Sequence, residues 1–154
     1  MVGFMQAQNC SNYPASWRHM ESAGDFLTPD YYRRIARALE DGKFHFGFFD
    51  DRLALPDIYG ADHKEAVKNG IRVVKMDPIP ILATMAMSTT NLGLAATLST
   101  TYYEPFHIAR TMMTLDHMTG GRAGWNVVTS LNDSEAFNMG AKSTIQHDRR
   151  YDRA

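Results

Sequence analysis

The chain of 154 residues lacks the features that mark several large classes of protein. It has one cysteine, Cys10, which excludes an internal disulfide and fits a reducing compartment. No apolar run approaches the ~20 residues that span a bilayer. The N-terminus also lacks a basic segment followed by an apolar core, as a signal peptide would have. The sequence therefore predicts a cytoplasmic protein that does not enter the membrane.

The chain also lacks a clear excess of either positive or negative charge. The chain has 16 Lys and Arg and 17 Asp and Glu residues, for a formal net charge of -1. No block of like charge stands out, so nothing favours binding to nucleic acid or to an anionic membrane. The histidines lack close paired spacing and Cys10 has no cysteine partner, so the sequence predicts no metal site.

Strand and helix patterns alternate along the chain. Strands are predicted at residues 2–8, 44–49, 94–100 and 122–129, each a short apolar or alternating run. Helices are predicted from Pro29 to Gly42, from Asp77-Pro78 to about Thr90, and at 105–119, 132–138 and 148–154. Residues 9–24 and 52–75 are predicted as loops, the second one long.

This alternation predicts an α/β fold with a parallel sheet and helical crossovers. No GxGxxG or GxxxxGK[ST] fingerprint supports a nucleotide-binding fold. A (β/α)8 TIM barrel has eight strands and ~250 residues, so four strands are about its first half, with two open edges. The last predicted helix also runs up to Ala154. We therefore expect residues 1–154 to be the N-terminal portion of a single TIM-barrel domain, and hence a fragment.

Polar side chains occur at the predicted C-terminal tips of three strands, where α/β folds bind their ligands. They are Asp50 and Asp51, then Thr97 and Ser99, then Asn126, Thr129 and Ser130. Thr97 and Ser99 are two apart, so they share a face. Each set also has a structural interpretation: a capping Asp51, a small-residue inner layer, or a satisfied amide at Asn126. Asp50 is expected to point outward, because two buried carboxylates would repel.

Seven motifs, in this order, resemble the nitrilotriacetate, pristinamycin IIA and dibenzothiophene-sulfone monooxygenase family of bacterial-luciferase-like flavin enzymes. They are ASWRH at 15–19, GKF at 42–44, FFDDRLA at 48–54, TYYEPFH at 101–107, LDHMTGGR at 115–122, WNVVTS at 125–130 and HDRRYD at 147–152. The resemblance covers essentially the whole chain. Members of that family have much longer chains, which supports the fragment interpretation.

The resemblance implies a luciferase-like TIM barrel and a two-component, FMN-dependent monooxygenase. A separate NAD(P)H:flavin reductase would supply reduced FMN, which the enzyme would use with O2. The substrate would be a small sulfone, amine or polyaminocarboxylate. The family also implies a homo-oligomer. Because the flavin carries the chemistry, no residue is assigned as a catalytic acid or base.

The resemblance also implies flavin contacts. The His147–Tyr151 pair is spaced i, i+4 and would approach the FMN phosphate or ring side, although composition alone favours a surface pair. Arg150 is expected to be a solvated charge. The full set of expected flavin contacts is Asp51, Thr97, Ser99, Asn126, Thr129, His147 and Tyr151.

Two other functions stay open at this point. The same barrel could serve a deazaflavin-dependent oxidoreductase, although the WNVVTS run argues against it. A truncated half-barrel could instead bind flavin or a partner subunit without turnover. Because half a barrel lacks the later strands, we expect the 154-residue polypeptide to be inactive by itself.

Overall fold

A computed structural model describes residues 1–10, 13–22 and 24–154. Positions 11, 12 and 23 of the predicted 9–24 loop lie outside the described residues. The strands are β1 (Val2–Gln6), β2 (Phe46–Asp50), β3 (Gly93–Ser99) and β4 (Ala123–Val128). The helices are α1 (Pro29–Asp41), α2 (Lys64–Asn69), α3 (Pro78–Ala86), α4 (Pro105–Thr119), α5 (Asp133–Asn138) and α6 (His147–Arg153).

The four strands form one parallel sheet in the order β1-β2-β3-β4. Phe4 pairs with Phe48, Phe48 with Ala95, and Ala95 with Gly124. This in-order register brings all C-terminal tips to one edge of the sheet. The predicted parallel topology is therefore confirmed, and it aligns the polar tips of β2, β3 and β4.

The two faces of the sheet differ because side chains alternate along each strand. Phe49, Leu94 and Ala96 are buried in a core that the helices supply through residues such as Tyr32 and Leu82. The alternate positions, which include Phe4, Phe46 and Thr97, belong to the opposite face. Phe4 and Phe46 are exposed there, whereas Thr97 near the C-terminal edge is buried.

Local capping chemistry fixes the helix starts, as the sequence predicts. Thr28 caps α1 by accepting the Tyr31 N–H at 3.4 Å, and Asp77 caps α3 by accepting the Ile79 N–H at 2.8 Å. Proline follows at the first helical position of both helices, where its missing N–H costs nothing. Gly120 ends α4 in the left-handed region, at φ 66°.

Three predicted boundaries are wrong. Residues 52–75 are not all loop, since they contain α2 and a short 3-10 turn, Tyr59–Ala61. α2 buries only Ala66, so it leaves no apolar period to detect. α3 ends at Ala86 rather than near Thr90, because Ser88 N–H bonds back only three residues, to the Met85 carbonyl.

β1 also ends earlier than predicted. It stops at Gln6, and Gln8 makes an isolated antiparallel bridge with Lys75. The end of the long 52–75 segment is thereby attached to the chain that follows β1. Within the described ranges, no helix is long and apolar enough to cross a membrane.

Candidate functional site

A cavity of about 220 Å³ opens at the C-terminal tips of β2, β3 and β4. It takes its walls from the strand ends, from the loops that follow them, and from α5. Four predicted site residues line it, namely Asp51, Thr97, Ser99 and Thr129. Asp50, Arg52, Tyr103, Ser130 and Glu135 are among the other lining residues. The predicted convergence of strand tips on one pocket is present in this part of the fold.

Asp51 is half-buried, and its carboxylate accepts the Arg52 backbone N–H at 2.8 Å. Burial raises the pKa of Asp51 from 3.8 to about 6, against the opposing effects of Lys75 and of that N–H. The neighbouring carboxyl groups of Asp77 and Asp50 add to the increase. Asp51 thus caps the local backbone and also brings a carboxyl group that titrates near neutral pH into the cavity.

Asp50 does not point outward, and that prediction is wrong. It alternates with Phe49, whose ring packs toward α1, so the Asp50 side chain lies on the sheet face opposite the helices. It lines the same cavity as Asp51 and accepts a hydrogen bond from Gln6 Nε2 at 3.1 Å. The Gln6 amide thus gives the Asp50 carboxylate a donor inside the cavity, although Asp51 lies in the same lining.

Thr97 and Asn126 pair across β3 and β4. Thr97 Oγ1 donates to the Phe49 carbonyl at 3.0 Å and accepts from Asn126 Nδ2 at 3.0 Å. The Thr97 hydroxyl is therefore satisfied inside the sheet. Asn126 Oδ1 has no hydrogen-bond donor among the described residues. Asn126 itself does not line the cavity, but its amide oxygen remains as an acceptor next to Thr97, which does.

Ser99 and Ser130 form a second polar pair. Ser99 Oγ accepts from Ser130 Oγ at 3.0 Å and from the Thr101 N–H at 3.2 Å. The Ser99 O–H is left to donate, because both bonds use its oxygen as acceptor. Thr97 and Ser99 share one face, as their spacing predicts. The site thus presents an amide acceptor and a hydroxyl donor on adjacent strands.

His147 and Tyr151 lie on the exposed side of α6 and do not line the cavity. Their ring centroids are 5.0 Å apart, and His147 Nδ1 lies 2.8 Å from Asp148 Oδ1. α6 is nevertheless anchored at this end of the sheet, since Arg150 Nη1 donates to the Ser130 carbonyl at 3.2 Å. Arg150 is therefore half-buried, and its predicted role as a solvated charge is wrong.

Glu135 and Tyr103 are two of the lining residues that the sequence did not predict. Glu135 is 5% exposed; its Oε1 accepts the Leu53 N–H at 3.1 Å and its Oε2 accepts from Asn132 Nδ2 at 3.2 Å. Burial, followed by the charges of Asp77 and Asp51, raises the pKa of Tyr103. Tyr103 belongs to the TYYEPFH motif, which could have drawn attention to it. Glu135 is one acidic residue in the first turn of α5 and carries no comparable signal.

A larger cavity, of about 680 Å³, lies elsewhere, along the outer edge of β1. Phe4 and Met5, which belong to opposite faces of β1, both line it, together with Trp17 and Tyr31. It is thus a groove beside the outer edge of the sheet rather than a pocket at converging strand tips. Since polar groups from three strands meet in the smaller cavity, we assign the candidate site there. Among the described residues, no three His, Cys, Asp or Glu side chains form a group that could hold a metal ion.

Comparison with known proteins identifies the family. The model of the luciferase-like monooxygenase family matches residues 9–154. The chain belongs to this family. The dibenzothiophene-sulfone monooxygenase of Rhodococcus erythropolis is 48% identical over 155 residues, which are 100% of this chain and 34% of that protein. The family predicted from the seven motifs is thereby confirmed.

Solved structures of luciferase-like relatives agree with the fold. The crystal structure of a long-chain alkane monooxygenase has a TM-score of 0.93 at 37% identity, over 99% of this chain and 35% of that one. A riboflavin lyase solved with modified FMN and riboflavin has a TM-score of 0.89 at 36% identity, over 99% and 34%. The chain spans about a third of the length of the relatives it matches. Its parallel sheet is part of the luciferase-like TIM barrel, as predicted.

Proposed function

We propose that the whole protein is a two-component, FMN-dependent monooxygenase. It takes reduced FMN from a separate NAD(P)H:flavin reductase and transfers oxygen from O2 to a small sulfone, amine or polyaminocarboxylate. Residues 1–154 form the N-terminal portion of its single TIM-barrel domain, and it works in the cytoplasm as a homo-oligomer. One observation carries the proposal: a titratable carboxyl and small hydroxyls converge at three adjacent strand tips in a chain of the luciferase-like monooxygenase family.

The polar groups of the site suit a flavin ring. The isoalloxazine edge carries both donors and acceptors, and Asn126 Oδ1 and the Ser99 O–H offer one of each. The side chains of Thr97, Ser99 and Thr129 are small and leave room above the strand ends. We assign the ring contacts to these residues together with Asp51. Reduced FMN would supply the activation of O2, and the protein supplies binding, orientation and exclusion of water.

The remaining assignments concern charge. A carboxyl with a pKa of about 6 can hold or release a proton beside the ring at physiological pH, and Asp51 is that group in the proposal. His147 and Tyr151 are exposed, so their ring N–H and O–H can donate to the FMN phosphate. The hydrogen bond from Arg150 to the Ser130 carbonyl, which anchors α6 at this end of the sheet, supports this assignment.

An isotope experiment tests the proposed reaction. The whole protein, reduced FMN and ¹⁸O2 are mixed with a sulfone, an amine and a polyaminocarboxylate in separate reactions, and the products are analysed by mass spectrometry. One ¹⁸O atom is expected in the product of at least one class. Absence of label from all three classes, under conditions where reduced FMN binds, would contradict the proposal.

Variants test the assigned contacts in the same protein. Asn126→Ala removes the free amide oxygen and is expected to weaken FMN binding about tenfold, the effect of one lost buried hydrogen bond. Asn91→Ala is the matched control, because Asn91 is exposed at the opposite end of β3. Equal FMN affinity of the two variants would remove Asn126 from the proposed site.

A further inference from the structure

A second cavity, of about 180 Å³, lies beside the candidate site at the C-terminal ends of β1 and β2. The two cavities share Asp50 and Arg52. The polar lining of the second cavity consists of Gln6, Gln8, Asp50, Arg52, Arg72 and Lys75. Three cationic side chains and one carboxylate thus line a small space next to the proposed flavin site.

Asp50, the one carboxylate in this lining, already accepts a hydrogen bond from within the protein. Gln6 Nε2 donates to Asp50 at 3.1 Å, and Gln8 Nε2 donates to Gln6 Oε1 at 2.9 Å. Lys75 Nζ completes the chain by donating to Gln8 Oε1 at 3.2 Å. Two amides thus separate Lys75 from Asp50, so the ammonium has no direct ion pair with that carboxylate.

Arg52 supplies the most direct indication of a ligand. Its Nε and Nη2 are buried and have no hydrogen-bond partner among the described residues. The Asp57 carboxylate approaches Nη2 only to 3.7 Å, which is too long for a hydrogen bond. Buried polar groups in proteins are normally satisfied, so a guanidinium with orphan donors at a cavity wall calls for an acceptor.

The backbone holds the other two cations in place. The Cys10 thiol accepts the Arg72 N–H at 2.9 Å and helps to keep Arg72 at φ 53°, a conformation that favours glycine. The Gln8–Lys75 bridge is flanked by a hydrogen bond from the Met76 N–H to the Ala7 carbonyl at 2.8 Å. Strained backbone that is held in this way is typical of binding sites.

Electrostatics agree with this geometry. Burial lowers the pKa of Lys75, and the charges of Arg52 and Arg72 lower it further, against the opposing effects of Asp51 and Asp50. The protein therefore holds positive charges together at a cost. A bound anion would offset that cost, because it brings the opposite charge into the same desolvated space.

We propose that this cavity binds an anionic group of the substrate, a carboxylate or a sulfonate. The volume suits one such group, and a planar guanidinium matches its oxygens in a two-bond fork. The shared wall at Asp50 and Arg52 lets the rest of the substrate extend into the candidate flavin site. This inference rests on the proposed function and specifies its substrate class: an anion rather than a neutral sulfone or amine.

Binding of two isosteric probes to the whole protein tests the charge requirement without turnover. Methanesulfonate and dimethyl sulfone have nearly the same shape, but only methanesulfonate is charged. Isothermal titration is expected to show methanesulfonate binding at least tenfold tighter than dimethyl sulfone. Equal affinity for the two probes would overturn the proposal.

Variants locate the binding. Lys75→Met keeps the apolar stem and removes the charge, so it is expected to weaken methanesulfonate binding about tenfold, the effect of one lost charged hydrogen bond. Lys68→Met is the control, because Lys68 is exposed on α2 outside the cavity. If Lys75→Met does not fold, Arg72→Met makes the same test. Unchanged affinity in a folded cavity variant would overturn the assignment.

The flavin phosphate is the other possible source of an anion, and a second comparison separates the two. The ratio of FMN to riboflavin affinity is measured in the wild type and in Lys75→Met. An unchanged ratio is expected if the cavity takes a substrate group, and loss of the preference for FMN would overturn the substrate assignment. Retained methanesulfonate binding without any ¹⁸O transfer would reject the proposed monooxygenase reaction but keep the anion site.

Discussion

The charged neighbours of Asp51 shift its pKa in opposite directions. Lys75 favours the ionised carboxylate, whereas burial and the carboxyl groups of Asp77 and Asp50 favour the protonated form. Burial is the largest of these effects, so the pKa rises to about 6. A carboxyl group with this pKa makes a testable contribution to stability, whatever its role in the reaction.

The sign of that contribution follows from linkage. Since the folded pKa lies above the unfolded value of 3.8, Asp51 costs no stability below about pH 4 and becomes destabilising as the pH rises through about 6. Asp51→Asn removes the titration and keeps an oxygen for the Arg52 N–H. At pH 8 we expect the variant to exceed the wild type by about 3 kcal/mol in free energy of unfolding, since the pKa lies about two units above 3.8 and one unit is about 1.4 kcal/mol.

Urea unfolding of the whole protein between pH 4 and pH 8 measures this difference. The gap between variant and wild type should close toward pH 4. Asp62→Asn is the control, because a hydrogen bond from Lys64 lowers the pKa of this exposed carboxyl and the sign is reversed. If the difference in free energy of unfolding between Asp51→Asn and the wild type does not change with pH, the pKa of Asp51 is not raised.

At the scale of elements, α5 fixes the start of the long segment after β2. Glu135 accepts the Leu53 N–H at 3.1 Å, and Asn138 Nδ2 donates to the Leu53 carbonyl at 2.8 Å. One helix thus holds both backbone polar groups of a single residue, Leu53, close to Asp51 and Arg52. This clamp sets the position of a wall that both cavities share.

The two hydrogen bonds that α5 makes to Leu53 differ in burial, so their loss should lower the free energy of unfolding by different amounts. Glu135→Ala leaves a part-buried N–H without its acceptor and should cost about 2 kcal/mol of unfolding free energy. Asn138→Ala removes the exposed half and should cost less than about 1 kcal/mol. Chemical unfolding of the two variants measures the difference. Equal costs would contradict the account of a buried anchor.

The same element shows what a sequence can and cannot predict. The starts of α1 and α3 were predictable, because Thr28 and Asp77 cap backbone groups within three residues. The Glu135–Leu53 bond joins residues 82 apart, so nothing local indicates it. Thr97 and Ser99 were predictable as residues of one face near a strand tip, because side chains alternate along β3. The orphan donors of Arg52 depend on packing by several segments and leave no pattern in the sequence.

At the scale of the molecule, one face of the sheet is covered by helices and the other is open. Val2 and Phe4 are 55% and 56% exposed on the open face. In the described part of the chain, the outer edges of β1 and β4 have no strand partner. Open edges and exposed apolar faces favour association.

We therefore predict that the 154-residue polypeptide, made by itself, self-associates and does not oxygenate substrate. Size-exclusion chromatography with light scattering would show species well above 17.4 kDa. Phe4→Glu should reduce the association, because it places charge on the open face. Met87→Glu is the control, since Met87 is exposed just after α3 on the helix side. A monomer of this length that oxygenates a substrate would contradict the prediction.

The most direct test of the whole account is a crystal structure of the whole protein with FMN. The account predicts the flavin ring at the C-terminal tips of β2, β3 and β4, with a ring N–H within hydrogen-bonding distance of Asn126 Oδ1 and the ring beside Asp51. A ring bound along the free edge of β1, or anywhere outside the tip cavity, would contradict it.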